Sequence, residues 1–272
     1  MMEICVYNDW DHVPKAEAKG EDRVCLAWEG EYRKGDVIAF TGLTPDCFYK
    51  VKVDGAVDEA LCLIRGEELL YPVPFYEKKT SYNPLAFFGN RHLITIEKAK
   101  DYEVYRYKNL ALNPFDQHDV AFCFPHASAN VETRGEAVFA ARNAIDGCIC
   151  PLSHGEWPYQ SWGINRREDA AFRLDFGREV DIDRIELYTR ADFPHDSYWT
   201  EGTLSFSDGS SLCFPMEKKV DVPHVLENLG KRKITWLTLD RLKKAPDESP
   251  FPALTQILVY GTESKELGKG EE

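Results

Sequence analysis

Short runs in which every second side chain is apolar recur along most of the chain. Tyr49, Val51 and Val53 alternate with Lys50, Lys52 and Asp54, the period of a half-buried strand. Leu61 to Ile64 and Leu93 to Ile96 are apolar runs of strand length, and Val104, Tyr105 and Tyr107 form a further β-prone stretch. Turn signals separate them: Thr44-Pro45-Asp46, Asp54-Gly55, Pro72-Val73-Pro74 and Gly89-Asn90. No helix-length amphipathic pattern interrupts this region, so the first part of the chain reads as strands joined by tight turns.

Residues 112–119, Leu-Asn-Pro-Phe-Asp-Gln-His-Asp, are polar and carry a helix-disfavouring proline, and they read as a linker. Beyond it, Thr133 and Glu136 have the spacing of a capping box. Val138, Ala141, Ala144 and Ile145 follow at helical spacing, and Gly147 is a natural stop, which predicts a short helix over residues 134–144. Strands then return. Phe172, Leu174 and Phe176 alternate with Arg173 and Asp175, and Ile185 and Leu187 alternate with Arg184, Glu186 and Tyr188. Leu204 and Phe206 lead into the hairpin turn Ser207-Asp208-Gly209, and Leu212 and Phe214 lead out of it. Residues 234–239 and 257–260 complete the set, and residues 263–272 read as a charged, frayed tail.

Composition narrows the classes of partner. The 272 residues carry a net charge of −13, with 43% hydrophobic and 29% charged side chains. That is an ordinary globular balance, long enough for two domains. The acidity disfavours nucleic acid and anionic membrane, which both need a basic face. Residues 1–12 show no basic stretch followed by an apolar run, so the expected location is the cytoplasm. The eight cysteines are scattered, and they are expected to be mostly buried thiols. Nothing in these patterns sets the oligomeric state.

A set of motifs in fixed order then carries a resemblance. Asn143-Ala144-Ile145-Asp146-Gly147 is followed by Trp162, by Phe172-Arg173-Leu174-Asp175-Phe176-Gly177-Arg178, and by Ile185-Glu186-Leu187-Tyr188. Phe206-Ser207-Asp208-Gly209-Ser210 comes next, and Leu254-Thr255-Gln256-Ile257-Leu258-Val259-Tyr260-Gly261 closes the series. This order resembles the discoidin, or coagulation factor five/eight type C, domain, and within it the bacterial galactose-binding-like carbohydrate modules. The resemblance covers about residues 119–262. It implies a jelly-roll β-sandwich whose loops at one end bind a ligand. The expected fold is therefore all-β, with two β-sandwich domains of jelly-roll, galactose-binding-like type and a short helix near the start of the second. The expected units are residues 1–112, 119–262 and the tail 263–272.

Two loop segments are dense in aromatic and hydrogen-bonding side chains: residues 154–167 and 190–199. A sugar ring offers an apolar C–H face to an aromatic plate and a rim of hydroxyls to paired donors and acceptors. The candidate ligand residues are His154, Glu156, Trp157, Gln160, Asn165, Arg190, Asp192, His195, Asp196 and Trp199. The bland alternatives are specific. Trp162 stands where the family has a core tryptophan, and Arg190 with Asp192 or Asp196 would equally form a salt bridge that only holds a loop. The one cofactor the resemblance raises is a structural calcium with Asp146 as ligand, but Gln256 stands where the family has a glutamate. Cys148, Cys150 and His154 hint at zinc without the spacing of a standard knuckle. No nucleophile-elbow, metalloprotease or phosphate-loop motif occurs. The sequence therefore points to non-catalytic glycan binding at the loop end of the C-terminal sandwich. The other two readings are a glycoside-acting enzyme with a cleft between the domains and a protein–protein interaction module.

Overall fold

The computed structural model describes residues 1–264 apart from residues 119, 121, 153, 194, 195 and 228. Its elements are almost all strands. The N-terminal part contains β1 (Met2–Asn8), β2 (Pro14–Gly20), β3 (Arg23–Glu29), β4 (Asp36–Thr41), β5 (Cys47–Lys52), β6 (Ala60–Ile64), β7 (Glu68–Pro72) and β8 (Arg91–Lys98). The remainder contains β9 (Lys108–Asn109), β10 (Cys123–Phe124), β11 (His126–Ala129), β12 (Trp162–Gly163), β13 (Phe172–Thr189), β14 (Trp199–Phe206), β15 (Ser211–Pro215), β16 (His224–Leu226), β17 (Arg232–Lys244) and β18 (Ala253–Glu263). No helix among the described residues is long and apolar enough to cross a membrane.

Two antiparallel sheets, in the orders β2-β1-β4-β7 and β10-β6-β5-β8-β3, enclose the first core. The alternation read from the sequence sets which faces meet. Ile4, Val6, Ile38, Phe40, Leu69 and Tyr71 come from one sheet, and Val24, Leu26, Tyr49, Val51, Ile94 and Ile96 from the other. Burying such faces is the main driving force, at roughly 25 cal/mol per Å² of apolar surface. The second core lies within a nine-stranded network with the main path β12-β18-β13-β17-β14-β15. The longest strand, β13, shifts register between Asp175 and Val180, so its two halves pair differently along β17. Gly177 sits at that shift with φ +67°, and a Cβ there would lie 2.3 Å from the Phe124 ring. Only glycine allows both the backbone conformation and the approach of Phe124. The result is the expected β-sandwich around Trp162, Phe172, Leu174, Ile185, Leu187, Trp199 and Leu254.

Several local expectations are corrected. The predicted helix over residues 134–144 is three short 3₁₀ turns, Thr133–Gly135, Ala137–Phe139 and Ala141–Ile145. Arg134 (φ 54°) and Gly135 (φ 66°) are left-handed, which breaks any continuous helix. Thr133 does not cap Glu136; its hydroxyl accepts from the Asn165 N–H, and Glu136 instead pairs with Arg134. The β-prone stretch at Val104 is a one-turn helix, α1 (Asp101–Val104), closed by Glu103 accepting from the Lys100 N–H. Glu263 belongs to no frayed tail: it ends β18, is buried, and holds Arg178 and Lys108. The cysteines are mostly not buried either. Only Cys62 and Cys123 are, while Cys25, Cys150 and Cys213 are exposed.

The polar segment 112–119 is a packed seam where it is described. β9 pairs with β18, and Leu110 and Ala111 lie in the second core. Phe115 and Val120 then enter the first core, where β10 pairs with β6, and β11 returns to pair with β13. Most buried polar groups of this crossing are satisfied locally, as burial demands, the Asn113 Oδ1 being an exception. Asn113 Nδ2 donates to the Pro125 carbonyl at 2.9 Å, and Asp116 accepts from His126 Nδ1 at 2.7 Å and from the Ala127 N–H at 2.9 Å. Arg142 closes the seam. Its Nε donates to the Asp116 carbonyl and its Nη2 to the Pro114 carbonyl, each at 2.6 Å, while its guanidinium lies 4.3 Å over the Tyr82 ring.

Two outcomes are expected from this seam. Arg142→Ala strands two buried carbonyls and removes the plate over Tyr82, so urea denaturation should show a loss of about 3 kcal/mol. An unchanged midpoint would mean that the seam does not depend on this side chain. The hydrogen bond to Asp116 raises the His126 pKa above the ordinary 6.5 despite burial. A raised folded-state pKa stabilises the fold fully below the unfolded value, and that contribution fades as pH rises through the folded value. Stability of the wild type should therefore fall from about pH 6 toward pH 8 relative to His126→Gln. Parallel pH profiles for the two proteins would contradict the assignment.

Candidate functional site

Three loops converge at one end of the second sandwich: the turn around Thr133 to Phe139, the long loop after Asp146, and the segment that leads into β18. They enclose a cavity of about 300 Å³ whose walls include Arg134, Phe139, His154, Ile164 and Phe251. The pairing of β12 with β18, Trp162 opposite Leu254 and Gly163 opposite Ala253, brings the loops together. Gly163 permits the closeness, since a Cβ there would lie 2.6 Å from Thr133 Oγ1. Phe139 is buried and Phe251 is half-buried, while Arg134 and His154 are exposed at the mouth. The His154 ring meets Tyr159 edge-on at 6.2 Å. Asn165 and Arg166 both have positive φ, 49° and 62°, and this turn lays the Arg166 guanidinium 4.6 Å over the Phe251 ring. Two strained residues in succession are uncommon outside functional turns.

A second hollow, of about 250 Å³, lies on the opposite side of the 146–160 loop against the first sandwich. Asp58 and Asn83 face Arg142, Asp146, Trp157 and Gln160 across it. Asp146 anchors this wall. Its oxygens accept from the Cys148 N–H at 2.8 Å, from Gln160 Nε2 at 2.9 Å and from Gln256 Nε2 at 2.6 Å. The orientation of the Gln256 amide is fixed, because its Oε1 accepts from the Gly147 N–H at 3.0 Å and its Nε2 must then face Asp146 and the Asn143 carbonyl. Burial raises the Asp146 carboxyl above the ordinary carboxylate range, against the opposing pull of Arg142 and the N–H donors. N–H groups thus occupy the directions from which a calcium ion would need oxygens, and this donor set does not fit one. No group of three metal-ligating side chains forms among the described residues, Cys148, Cys150 and His154 included.

The ten candidate ligand residues are divided. His154 lines the loop-end cavity, Asn165 touches its wall through the N–H that it donates to Thr133, and Trp157 and Gln160 line the interdomain hollow. Glu156 is exposed on the same loop. Arg190 is no ligand group: its side chain is fully buried, it forks onto Asp192 at 2.7 and 2.9 Å, and it donates to the Tyr159 carbonyl at 2.5 Å. The pair ties the 190–192 segment to the 154–160 loop. Trp199 is core, 1% exposed and 6.5 Å from Trp162, itself buried as expected. Asp196 is half-buried and 3.8 Å from Lys218, and His195 lies outside the described residues. Sequence reasoning missed Arg134, Phe139 and Phe251. The signal for Phe251 was its setting between Pro250 and Pro252, two rigid residues holding an aromatic in a loop.

No protein-family model matches the sequence, and no curated protein matches it. Among solved structures, the chain is similar to chitosan-binding module 1 from a chitosanase/glucanase of Paenibacillus sp. IK-5, at 16% identity and a TM-score of 0.40, over 57% of this chain and 100% of that one. It is similar to the family 32 carbohydrate-binding module of C. perfringens NanJ, solved with galactose, at 13% identity and a TM-score of 0.41, over 57% and 99%. The lectin domain of lectinolysin, complexed with Lewis B antigen, matches at 14% identity and a TM-score of 0.41, over 57% and 97%.

The amide grip on Asp146 has a direct test. Gln256→Glu removes the N–H donor and sets a second carboxyl against Asp146, so stability near neutral pH should drop by roughly 2 kcal/mol. The carboxyl pKa values in the folded variant rise, so the loss should shrink as pH falls and one proton is shared. Urea titrations at neutral and mildly acidic pH read this out, and a loss of equal size at both would rule the mechanism out.

Proposed function

We propose that the protein binds glycan without altering it, at the loop end of the C-terminal sandwich. The observation that carries this reading is the loop-end cavity itself. Two phenyl rings, Phe139 and Phe251, supply apolar faces, and Arg134, His154 and the Thr133 hydroxyl supply donors and acceptors at the mouth. An apolar plate beside a few convergent polar groups is the arrangement a pyranose ring needs, with its C–H face stacked and its hydroxyls bonded. The ordered motifs of residues 143–261 support the same reading. The enzyme alternative gains nothing from the interdomain hollow. Of its two carboxylates, Asp58 and Asp146, the second has its oxygens engaged by three donors, which leaves it poorly placed as an acid or nucleophile.

Single-site binding of this kind is expected in the millimolar to micromolar range, about 4 to 8 kcal/mol. A glycan array followed by titration calorimetry should find at least one binding oligosaccharide. Phe251→Ala should weaken it at least tenfold, about 1.4 kcal/mol, and His154→Ala should weaken it by several-fold, with the melting temperature unchanged for both. An array without a single binder, or full affinity in Phe251→Ala, would remove this site.

A further inference from the structure

The loop-end cavity does not stop at Phe251. It opens past Ile164 and Pro250, which line both hollows, into a shallow groove of about 860 Å³. Five cations line that groove, Arg166, Arg167, Arg241, Lys243 and Lys244, against one carboxylate, Glu168. In a chain of net charge −13 this is a local concentration of cations, although carboxylates stand beside most of them. The five come from two elements, the turn after β12 and the end of β17, brought together across the sheet. Arg241 is set by a left-handed backbone (φ 48°) near the end of β17, and Arg166 by the strained turn already described.

Four of these cations hold neighbouring carboxylates. Arg167 forks onto Asp169, Arg241 lies 3.2 Å from Asp240, Lys243 2.5 Å from Glu201 and Lys244 2.7 Å from Asp247. Exposed pairs of this kind contribute at most about 1 kcal/mol each, so a ligand that presents several carboxylates can exchange with them at little cost. The fifth, Arg166, has no carboxylate partner among the described residues, and its guanidinium lies over the ring that a bound sugar would stack on. Its fork matches a planar carboxylate better than a point charge would.

From this continuity we infer that the ligand is an acidic polysaccharide, one uronate-bearing chain stacked at Phe251 with its carboxylates running along the basic groove. The inference rests on glycan binding at the loop-end cavity and adds the charge and length of the ligand. A groove of this size, joined to the cavity, suits several consecutive sugar units rather than a single terminal residue.

The test is titration of the full chain with tetragalacturonate, with a neutral galactose tetrasaccharide and with dextran sulfate, in EDTA, at about 50 and 500 mM salt. Tetragalacturonate should bind at least tenfold more tightly than the neutral sugar at low salt, and high salt should erase most of the difference. The double variant Arg167→Ala, Lys243→Ala should lose that preference while keeping the neutral affinity and its melting temperature, and Phe251→Ala should weaken both sugars. Neutral binding without preference for the uronate would overturn this inference and leave glycan binding standing. No binding of either sugar would overturn this inference, and an array equally without a binder would overturn glycan binding itself. Equal binding of dextran sulfate, or a uronate preference that survives the double variant, would show unspecific polyanion attraction and overturn the carboxylate assignment.

Discussion

The fold turns on one buried cation. Arg142 has almost no exposed surface, and the acceptors its guanidinium meets are neutral: the carbonyls of Pro114 and Asp116, the Asn143 amide oxygen and the Ser81 hydroxyl. Removing a guanidinium from water costs several kcal/mol unless its donors are met, so these acceptors must stay where they are. They belong to three separate stretches of chain, one of them in the first sandwich and another in the seam. Satisfying this side chain therefore fixes how the sandwiches meet. It also fixes the 3₁₀ turn Ala141–Ile145, from whose end Asp146 grips Gln160 and Gln256. The loop that carries His154 and Trp157 hangs from that grip.

Much of the architecture was legible because strands write their burial into the sequence. The alternations at Tyr49, Phe172 and Ile185 are the buried faces seen in both cores, and Trp162 is core as its place in the motif order implied. What failed were the places where a polar residue is buried for the sake of the backbone. Asn113 and Asp116 look like linker residues by composition, yet they satisfy the Pro125 carbonyl, His126 and the Ala127 N–H inside a seam. Nothing local in the sequence distinguishes an aspartate bound to water from one bound to a buried amide. The 3₁₀ turns failed for a related reason: a hydroxyl and a carboxylate at capping-box spacing are common, and the left-handed Arg134 that defeats the helix leaves no mark of its own.

The site was legible in outline and not in membership. The 154–167 segment does line hollows on both of its sides, because so many large and polar side chains cannot all be buried. The 190–199 segment had the same composition and a different fate, with Arg190 locked to Asp192 and Trp199 in the core. A buried ion pair and a ligand clamp use the same residue types, so only packing separates them. The aromatic that completes the cavity, Phe251, comes from a loop distant in sequence and poor in polar groups, and composition alone gave it no weight.

Where the resemblance implies calcium, this chain has amides. Gln256 and Gln160 hold Asp146 from opposite sides, and Gln256 also takes the Asn143 carbonyl and the Gly147 N–H. One neutral side chain thus ties together the turn and the last strand, the points a cation would bridge by charge. The exchange has an electrostatic consequence. A divalent ion would place two positive charges beneath these loops, whereas the amides add none, and the positive charge acting on Asp146 is that of the buried Arg142. Positive charge at this end of the molecule then comes from Arg134 at the cavity mouth and from the side chains of the groove beyond Phe251. The cationic side chains at this end are therefore arginines and lysines spread along the rim from Arg134 to Lys244 rather than gathered at a single point.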